Sequence, residues 1–282
     1  MKGDNPFSGK RIWIVTQHHK EKAIAPVLNR MLGADCQALD GINTDLFGTF
    51  TGEIPRTGTA VDALRLKCRA GLQLTGRKEP VLASEGSFGP HPSLPFVPFN
   101  EEWLMLMAPD TLQEWLVCYR TTHTNFAGTR VVSWPELKDF ALQAGFPHHA
   151  LILRAPEPAA FIKGLRSWAL LKYHFNKLRA LHPAVGAETD MRAMFNPTRL
   201  EAIHRAARKL ALLLLRRCPA CQAYGFAETD IVPGLPCNWC GAPTRLAKAR
   251  VLCCAACGYA EERPIMHGAH RADAAYCDYC NP

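Results

Sequence analysis

Long apolar runs are what this chain most plainly lacks. The longest, Leu210 to Leu215, is followed by Arg216 and Arg217 and falls far short of the ~18 residues a membrane-spanning helix needs. A secretory core is missing too, because Met1-Lys2-Gly3-Asp4-Asn5-Pro6 leads into no apolar stretch. No internal repeat is visible. These absences predict a soluble cytoplasmic protein that does not engage a membrane. Twelve cysteines in such a chain are better explained by metal than by disulfides. What is present is ordinary for a globular protein: 282 residues, 48% hydrophobic and 21% charged, enough for one large or two modest domains. The net charge of +8 favours anionic partners such as nucleotides or nucleic acid.

Cysteine placement divides the chain. Cys36, Cys68 and Cys118 are scattered singly and read as small buried hydrophobes. The other nine lie between Cys218 and Cys280. This predicts an α/β domain over 1–217 and a cysteine-rich module over 218–282. In the first part, Arg11 to Val15 suits a buried strand, and Lys20 to Leu32 reads as a helix closed by Gly33. Ala60 to Leu74 reads as a second helix and Pro80 to Ala83 as a short strand. Trp103 to Met107, Trp115 to Tyr119 and Ala150 to Leu153 are strand-like. Ser133-Trp134-Pro135-Glu136 has capping-box spacing. Phe161 to Leu181 reads as a helix, and Asn196-Pro197 opens the last helix, running to about Arg217. Interleaved strands and helices predict an α/β fold with a mixed sheet and flanking helices.

The module carries four Cys-x-x-Cys pairs: Cys218 and Cys221, Cys237 and Cys240, Cys254 and Cys257, Cys277 and Cys280. A two-residue spacer lets one tight turn present two thiolates to one ion, and zinc takes four such ligands. Fifteen residues separate Cys221 from Cys237 and nineteen separate Cys257 from Cys277, spacings that fit a zinc ribbon. Two structural zinc ions are expected. Sequential pairing is simplest, and an interleaved arrangement is the alternative. Cys253 can stand in for Cys254, and His267 and His270 are further alternative ligands.

Three loops have compositions suited to chemistry. Thr16-Gln17-His18-His19-Lys20-Glu21 lies at a strand end opening a helix, where anions bind. Ala83 to Pro92 follows a strand and contains Glu85 between a serine and Gly86, a carboxylate placed for Mg²⁺ held between protein and phosphate. Glu188 to Arg199 crowds Asp190, Arg192, Asn196 and Arg199 at a helix start, with Asp190 as a metal ligand or base and the arginines as anion contacts.

Ser84 to Pro92, Glu188 to Met194, Asn196-Pro197-Thr198-Arg199 and the ending Cys277-Asp278-Tyr279-Cys280-Asn281-Pro282 resemble an uncharacterised bacterial family, a domain of unknown function (number 6671). Over about the first 90 residues the chain is also similar to nucleoside triphosphate pyrophosphatases of the inosine triphosphatase type. Thr16-Gln17-His18 and Lys20-Glu21 stand at that family's first loop, with His18 replacing an asparagine. Thr57-Gly58-Thr59 leads to Leu66-Lys67-Cys68-Arg69-Ala70, and Ser84-Glu85-Gly86-Ser87 stands at its acidic loop. The resemblance implies a Mg²⁺ site using Glu85, helped by Glu53, and phosphate contacts from Lys20 and Lys67.

The expectation is therefore a Mg²⁺-dependent hydrolase of a phosphate-containing ligand, most simply a nucleotide, carrying a structural zinc ribbon. Glu85, Glu53 and Asp190 are its candidate catalytic residues, and His18, Lys20, Lys67, Arg192 and Arg199 bind phosphate. The competing reading is a non-catalytic zinc-ribbon protein that binds nucleic acid.

Overall fold

The computed structural model describes residues 5–42, 58–156, 161–265 and 270–282. The chain forms two compact units, Met1–Ala211 and Leu212–Pro282.

The first unit starts from β1 (Arg11–Val15), whose Ile12, Ile14 and Val15 are buried. Helix α1 (Glu21–Leu32) follows and ends where Gly33, at φ 68°, returns its amide to the Asn29 carbonyl. Then come β2 (Asp35–Leu39), α2 (Ala60–Leu74), β3 (Val81–His91), β4 (Leu94–Met107) and β5 (Glu114–Thr121). The sheet order is β2-β1-β3-β4-β5. β1 runs parallel to β2 and β3, and β3, β4 and β5 form an antiparallel meander. Thr59 and Asp62 cap α2 reciprocally. Gly71 lets α2 lie close to the sheet, since a Cβ there would come within 2.7 Å of Val81 and 2.9 Å of Val15. Leu64, Cys68 and Leu72 of α2 pack there with Val15, Val81 and Met105.

A second sheet in this unit has the order β6-β9-β7-β8, from β6 (Gly128–Val131), β7 (Leu151–Arg154), β8 (Phe161–Leu165) and β9 (Val185–Thr189). Its neighbours all run antiparallel. Leu137 of α3 (Trp134–Gln143) and Leu171 and Phe175 of α4 (Trp168–Arg179) share a core with Leu151, Leu153 and Val185. Ser133 caps α3 by accepting from the Glu136 amide. The long helix α5 (Pro197–Leu215) starts at Asn196, whose side chain accepts from the Arg199 amide at 2.9 Å.

Two sequence expectations need correction. The segment 84–91 is not a loop but the second half of β3, paired with β4 from Val81↔Met107 to His91↔Leu94. Cross-strand pairing overrides the glycine and proline signals there. β3 is paired with β1 only as far as Ala83, so Pro90 falls on a free edge, where a missing N–H is tolerated. Likewise 161–181 is not one helix. Phe161, Ile162 and Leu165 pair with β7, and Gly164 at φ 73° takes a conformation no helix interior accepts.

The second unit holds β10 (Ala227–Pro233), β11 (Ala247–Cys253) and β12 (Ala260–Pro264) in one antiparallel sheet of that order. No helix among the described residues is long and apolar enough to cross a membrane.

Candidate functional sites

In the first unit, charged side chains from four elements meet beside β3. Residues directly paired across an antiparallel ladder share a face, and successive residues alternate. The register Glu85↔Trp103 and Gly86↔Glu102 therefore puts the two glutamates on opposite faces of the β3–β4 ribbon. On one face, Lys67 of α2 ion-pairs with Glu85. On the other, Arg199 of α5 donates from Nε to Glu102 Oε1 at 2.8 Å and also reaches the Met191 carbonyl. Gly86 makes room for this, because a Cβ there would overlap the Arg199 guanidinium and come within 3.0 Å of Glu102 Oε1. The guanidinium also stands over the Phe88 ring, 5.0 Å from its centroid.

Lys20 enters from the β1–α1 junction. Its Nζ donates to the Ser84 carbonyl at 3.1 Å, just beyond Ala83, where β3 loses its parallel neighbour. All five charged groups are buried. Burial, then the nearby Arg199 charge, lowers the Lys20 pKa to about 7; Lys67 adds to this, while Glu85 and Glu102 oppose it. Around neutral pH, Lys20 thus sets whether this set of two carboxylates, Lys67 and Arg199 carries a further positive charge. On β3 and β4, three buried side-chain oxygens have no protein partner: Ser84 Oγ, Asn100 Oδ1 and Glu102 Oε2. The register Ser84↔Leu104 and Phe88↔Asn100 puts all three on the Arg199 face.

A cleft of about 620 Å³ opens at the carboxyl ends of β1 and β2, lined by Thr16, Gln17, His19 and Glu21 from the loop that supplies Lys20, and by Asp40 and Gly41. Its size is that of small-ligand sites, and its place is where open α/β sheets bind them. His19 turns there with φ 56° and sets its ring 3.3 Å from Glu21.

The structure thus brings Lys20, Lys67, Glu85 and Arg199 together and adds Glu102, which the sequence reading missed. A period-two reading finds it, because Glu102 shares strand parity with Leu104 and Leu106, both fully buried. His18 is half-buried in the loop before Lys20. Asp190 is fully buried, and Arg192 and the Gly164 amide occupy both its carboxylate oxygens. Its pairing with Arg192 fixes the β9–α5 connection. Glu53 and Thr57 lie outside the described residues, as does His267. Burial pushes the thiols of Cys36, Cys68 and Cys118 up to about 12, so these cysteines are poor nucleophiles and behave as core residues.

In the second unit eight cysteines form two groups of four, arranged to hold metal ions. Cys218, Cys221, Cys254 and Cys257 make one; Cys237, Cys240, Cys277 and Cys280 make the other. Within each group the Sγ atoms lie within 4.8 Å of one another. The pairs interleave, first with third and second with fourth, so sequential pairing does not occur. Cys253 and His270 belong to neither group. Each pair sits in a turn closed by an amide four residues on. Gln222 bonds Cys218, Gly241 bonds Cys237, Gly258 bonds Cys254 and Asn281 bonds Cys277. Gln222, Gly241 and Gly258 close theirs with φ of 61°, 74° and 74°. The interleaving follows from the β-sheet and one bridge. Antiparallel pairing of Ala227 with Cys253 brings the chain after Cys221 beside the turn at Cys254. A bridge from Cys237 to Ala272 brings the last pair to the second. Sulfur separations such as 3.8 Å for Cys218–Cys257 and 3.6 Å for Cys240–Cys277 are far beyond a disulfide's ~2.05 Å. Backbone amides aimed at sulfur, foremost those of Cys240 and Cys257, lower the pKa of Cys237 and of Cys254 to about 7, whereas hydrogen bonds among the clustered sulfurs push Cys280 up to about 12 and, against the Tyr259 amide, Cys257 as well.

Fold and sites together define an α/β protein with a C-terminal module of two four-cysteine centres. The chain belongs to the family described as Domain of unknown function (DUF6671), whose model matches residues 67–282. That span includes Lys67, Glu85, Glu102, Arg199 and all eight clustered cysteines. No curated protein matches the sequence.

Proposed function

We propose that the first unit is a hydrolase of a phosphate-containing ligand, a nucleotide being the simplest, and that the second unit holds two structural zinc ions. The observation that carries the first reading is the convergence of Lys20, Lys67 and Arg199 with Glu85 and Glu102 around β3; the cleft at the strand ends is lined by the loop that supplies Lys20, not by these five residues. Three cations from separate elements suit a multiply charged anion. A phosphate arriving there favours the protonated form of Lys20, so binding is coupled to proton uptake.

Both faces offer hard oxygen ligands that fit Mg²⁺: Glu85 on one, and on the other the unpartnered oxygens of Glu102, Asn100 and Ser84. The surrounding cations mean that the metal enters together with phosphate charge. When bound, it supplies charge neutralisation and an acidified water. The chain's own groups do the rest: on the Glu85 face Lys67 holds the phosphate oxygens and Glu85 orients the reacting end, Arg199 supplies the cation of the other face, and nearly complete burial excludes bulk water. Glu53 remains a candidate second carboxylate.

Zinc is supported by the sulfur geometry. Bonds of about 2.3 Å in a tetrahedron separate two sulfurs by roughly 3.8 Å, and the closest cross-pair separations run from 3.6 to 3.9 Å. With four thiolates per ion no coordination position is open, so these ions hold structure and do not catalyse.

The test is a screen for phosphate and pyrophosphate release across nucleotides, with and without Mg²⁺, on zinc-replete protein and its Glu85→Gln variant. Metal-dependent release that the variant loses is expected. Full turnover by a folded Glu85→Gln protein, or no release from any nucleotide, removes the hydrolase reading.

A further inference from the structure

The two cysteine centres present different surfaces. In the first, the spacer residues are Pro219-Ala220 and Ala255-Ala256. Its Phe226 is buried and packs against Tyr259, ring centroids 6.1 Å apart. In the second, each spacer ends in an aromatic residue, Asn238-Trp239 and Asp278-Tyr279. Those rings point outward: Trp239 is 77% exposed and Tyr279 79%, and Tyr276 beside them is 52% exposed. Holding large rings in water on rigid turns stabilises nothing in the free protein.

The company these rings keep identifies what covers them. Within 234–246 and 270–282 the exposed large hydrophobic residues are these three aromatics; Leu235 and Leu246 are half-buried. The core of a protein-docking patch is depleted of charged residues and closes into one apolar centre. Here the rings stand instead among exposed polar and charged groups: Asn238, Arg245, His270 and Arg271, with Asp273 and Asp278 as the exposed carboxylates. The Arg245 side chain is 75% exposed and held 3.1 Å from Asp278, next to Tyr279. Isolated aromatic faces with flanking arginines suit unpaired nucleobases, whose π-faces stack on them while phosphates meet the cations.

We infer that the second cysteine centre is a stacking platform for single-stranded nucleic acid, with Trp239 and Tyr279 each receiving a base and Arg245 and Arg271 contacting the backbone. The inference is independent of the hydrolase reading, because it uses none of the first unit's residues. Ribose and deoxyribose strands offer the same bases, so both belong in the test.

The measurement is fluorescence anisotropy of short mixed-sequence RNA and DNA oligonucleotides, single-stranded and duplex, titrated with the full-length metal-loaded protein. Single strands are expected to bind more tightly than the duplex, whose bases are already stacked. Trp239→Ala should weaken binding about tenfold, and adding Tyr279→Ala should bring the loss to about a hundredfold. Trp239→Phe should keep most of the affinity, since it keeps a ring. Arg245→Ala should reduce the salt dependence by about one counterion. Metal content, measured on every variant, separates lost rings from a lost fold. Absence of single-strand binding by the wild-type protein overturns the inference. So does unchanged affinity in a double ring variant that retains both ions, which would assign the rings to a protein partner.

Discussion

The charged set of the first unit is buried in a scaffold that has apolar cores of its own. Two aliphatic cores, one under α2 and one under α3 and α4, supply large buried side chains, in addition to the buried lysines, glutamates and arginine. The second unit has no such reserve. Its cores are Cys218, Phe226, Leu252 and Cys254 around one centre and Cys237, Ala274 and Cys277 around the other, so the clustered cysteines are themselves the interior. A site can be removed from the first unit and leave a fold; in the second, site and fold are one thing.

Metal removal should break this comparison most sharply. Stripping the ions with a strong chelator is expected to unfold 212–282 while the first unit keeps its structure, because zinc binding in small modules supplies on the order of 10 kcal/mol of folding energy. Hydrogen exchange resolved by segment checks it, and protection persisting in β10–β12 without metal would contradict it. The interleaved pairing gives a sharper version. A Cys221→Ser, Cys257→Ser double variant disarms one centre only and should retain one ion per chain, whereas sequential pairing would damage both. Metal analysis of the purified variant decides.

In the first unit the largest effect should come from splitting a buried ion pair. Arg199→Met strands Glu102, which is fully buried, and should cost about 3–5 kcal/mol in denaturant unfolding. Gly86→Ala displaces the same guanidinium and should cost about 1–3 kcal/mol.

A smaller effect is pH-dependent. The Lys20 pKa is lowered to about 7 in the folded chain, against about 10.4 for an unperturbed lysine. The unfolded state therefore binds more protons between these values, and stability from this group rises as pH climbs from about 7 towards 10. Lys20→Met should remove that slope, a contribution on the order of a few kcal/mol. Phosphate affinity should run the other way, strengthening below pH 7 in the wild type only. At the bottom of the scale, Glu201→Gln breaks an exposed i,i+4 pair with Arg205 and should change stability by less than about 0.5 kcal/mol.

Where the sequence was legible, short-range physics did the writing. β1 and α2 fall where apolar spacing puts them, and Ser133 and Asn196 cap the helices they announce. The Cys-x-x-Cys turns are local as well, which is why all eight clustered cysteines could be named. β2, β6 and β9 were harder to see, being short strands whose pairing partners are distant in sequence. Glu102 was hidden for a related reason: its burial depends on the full length of β4, which the sequence pattern truncated to Trp103–Met107.

Composition and spacing by themselves determined that the chain has two regimes, an α/β part and a cysteine part, and which cysteines act in pairs. They also marked Lys20, Glu85 and Arg199 as chemistry-bearing, while Lys67 came from the resemblance to the pyrophosphatases. Only the tertiary structure decided which pairs share a centre and that these four residues meet. It also decided that Asp190 and Arg192 spend their charges on each other. Turns and caps are set by neighbours within a few residues, so the sequence displays them. Convergence across β3 is set by register and by the absence of a side chain at Gly86, which exist only once distant strands have paired.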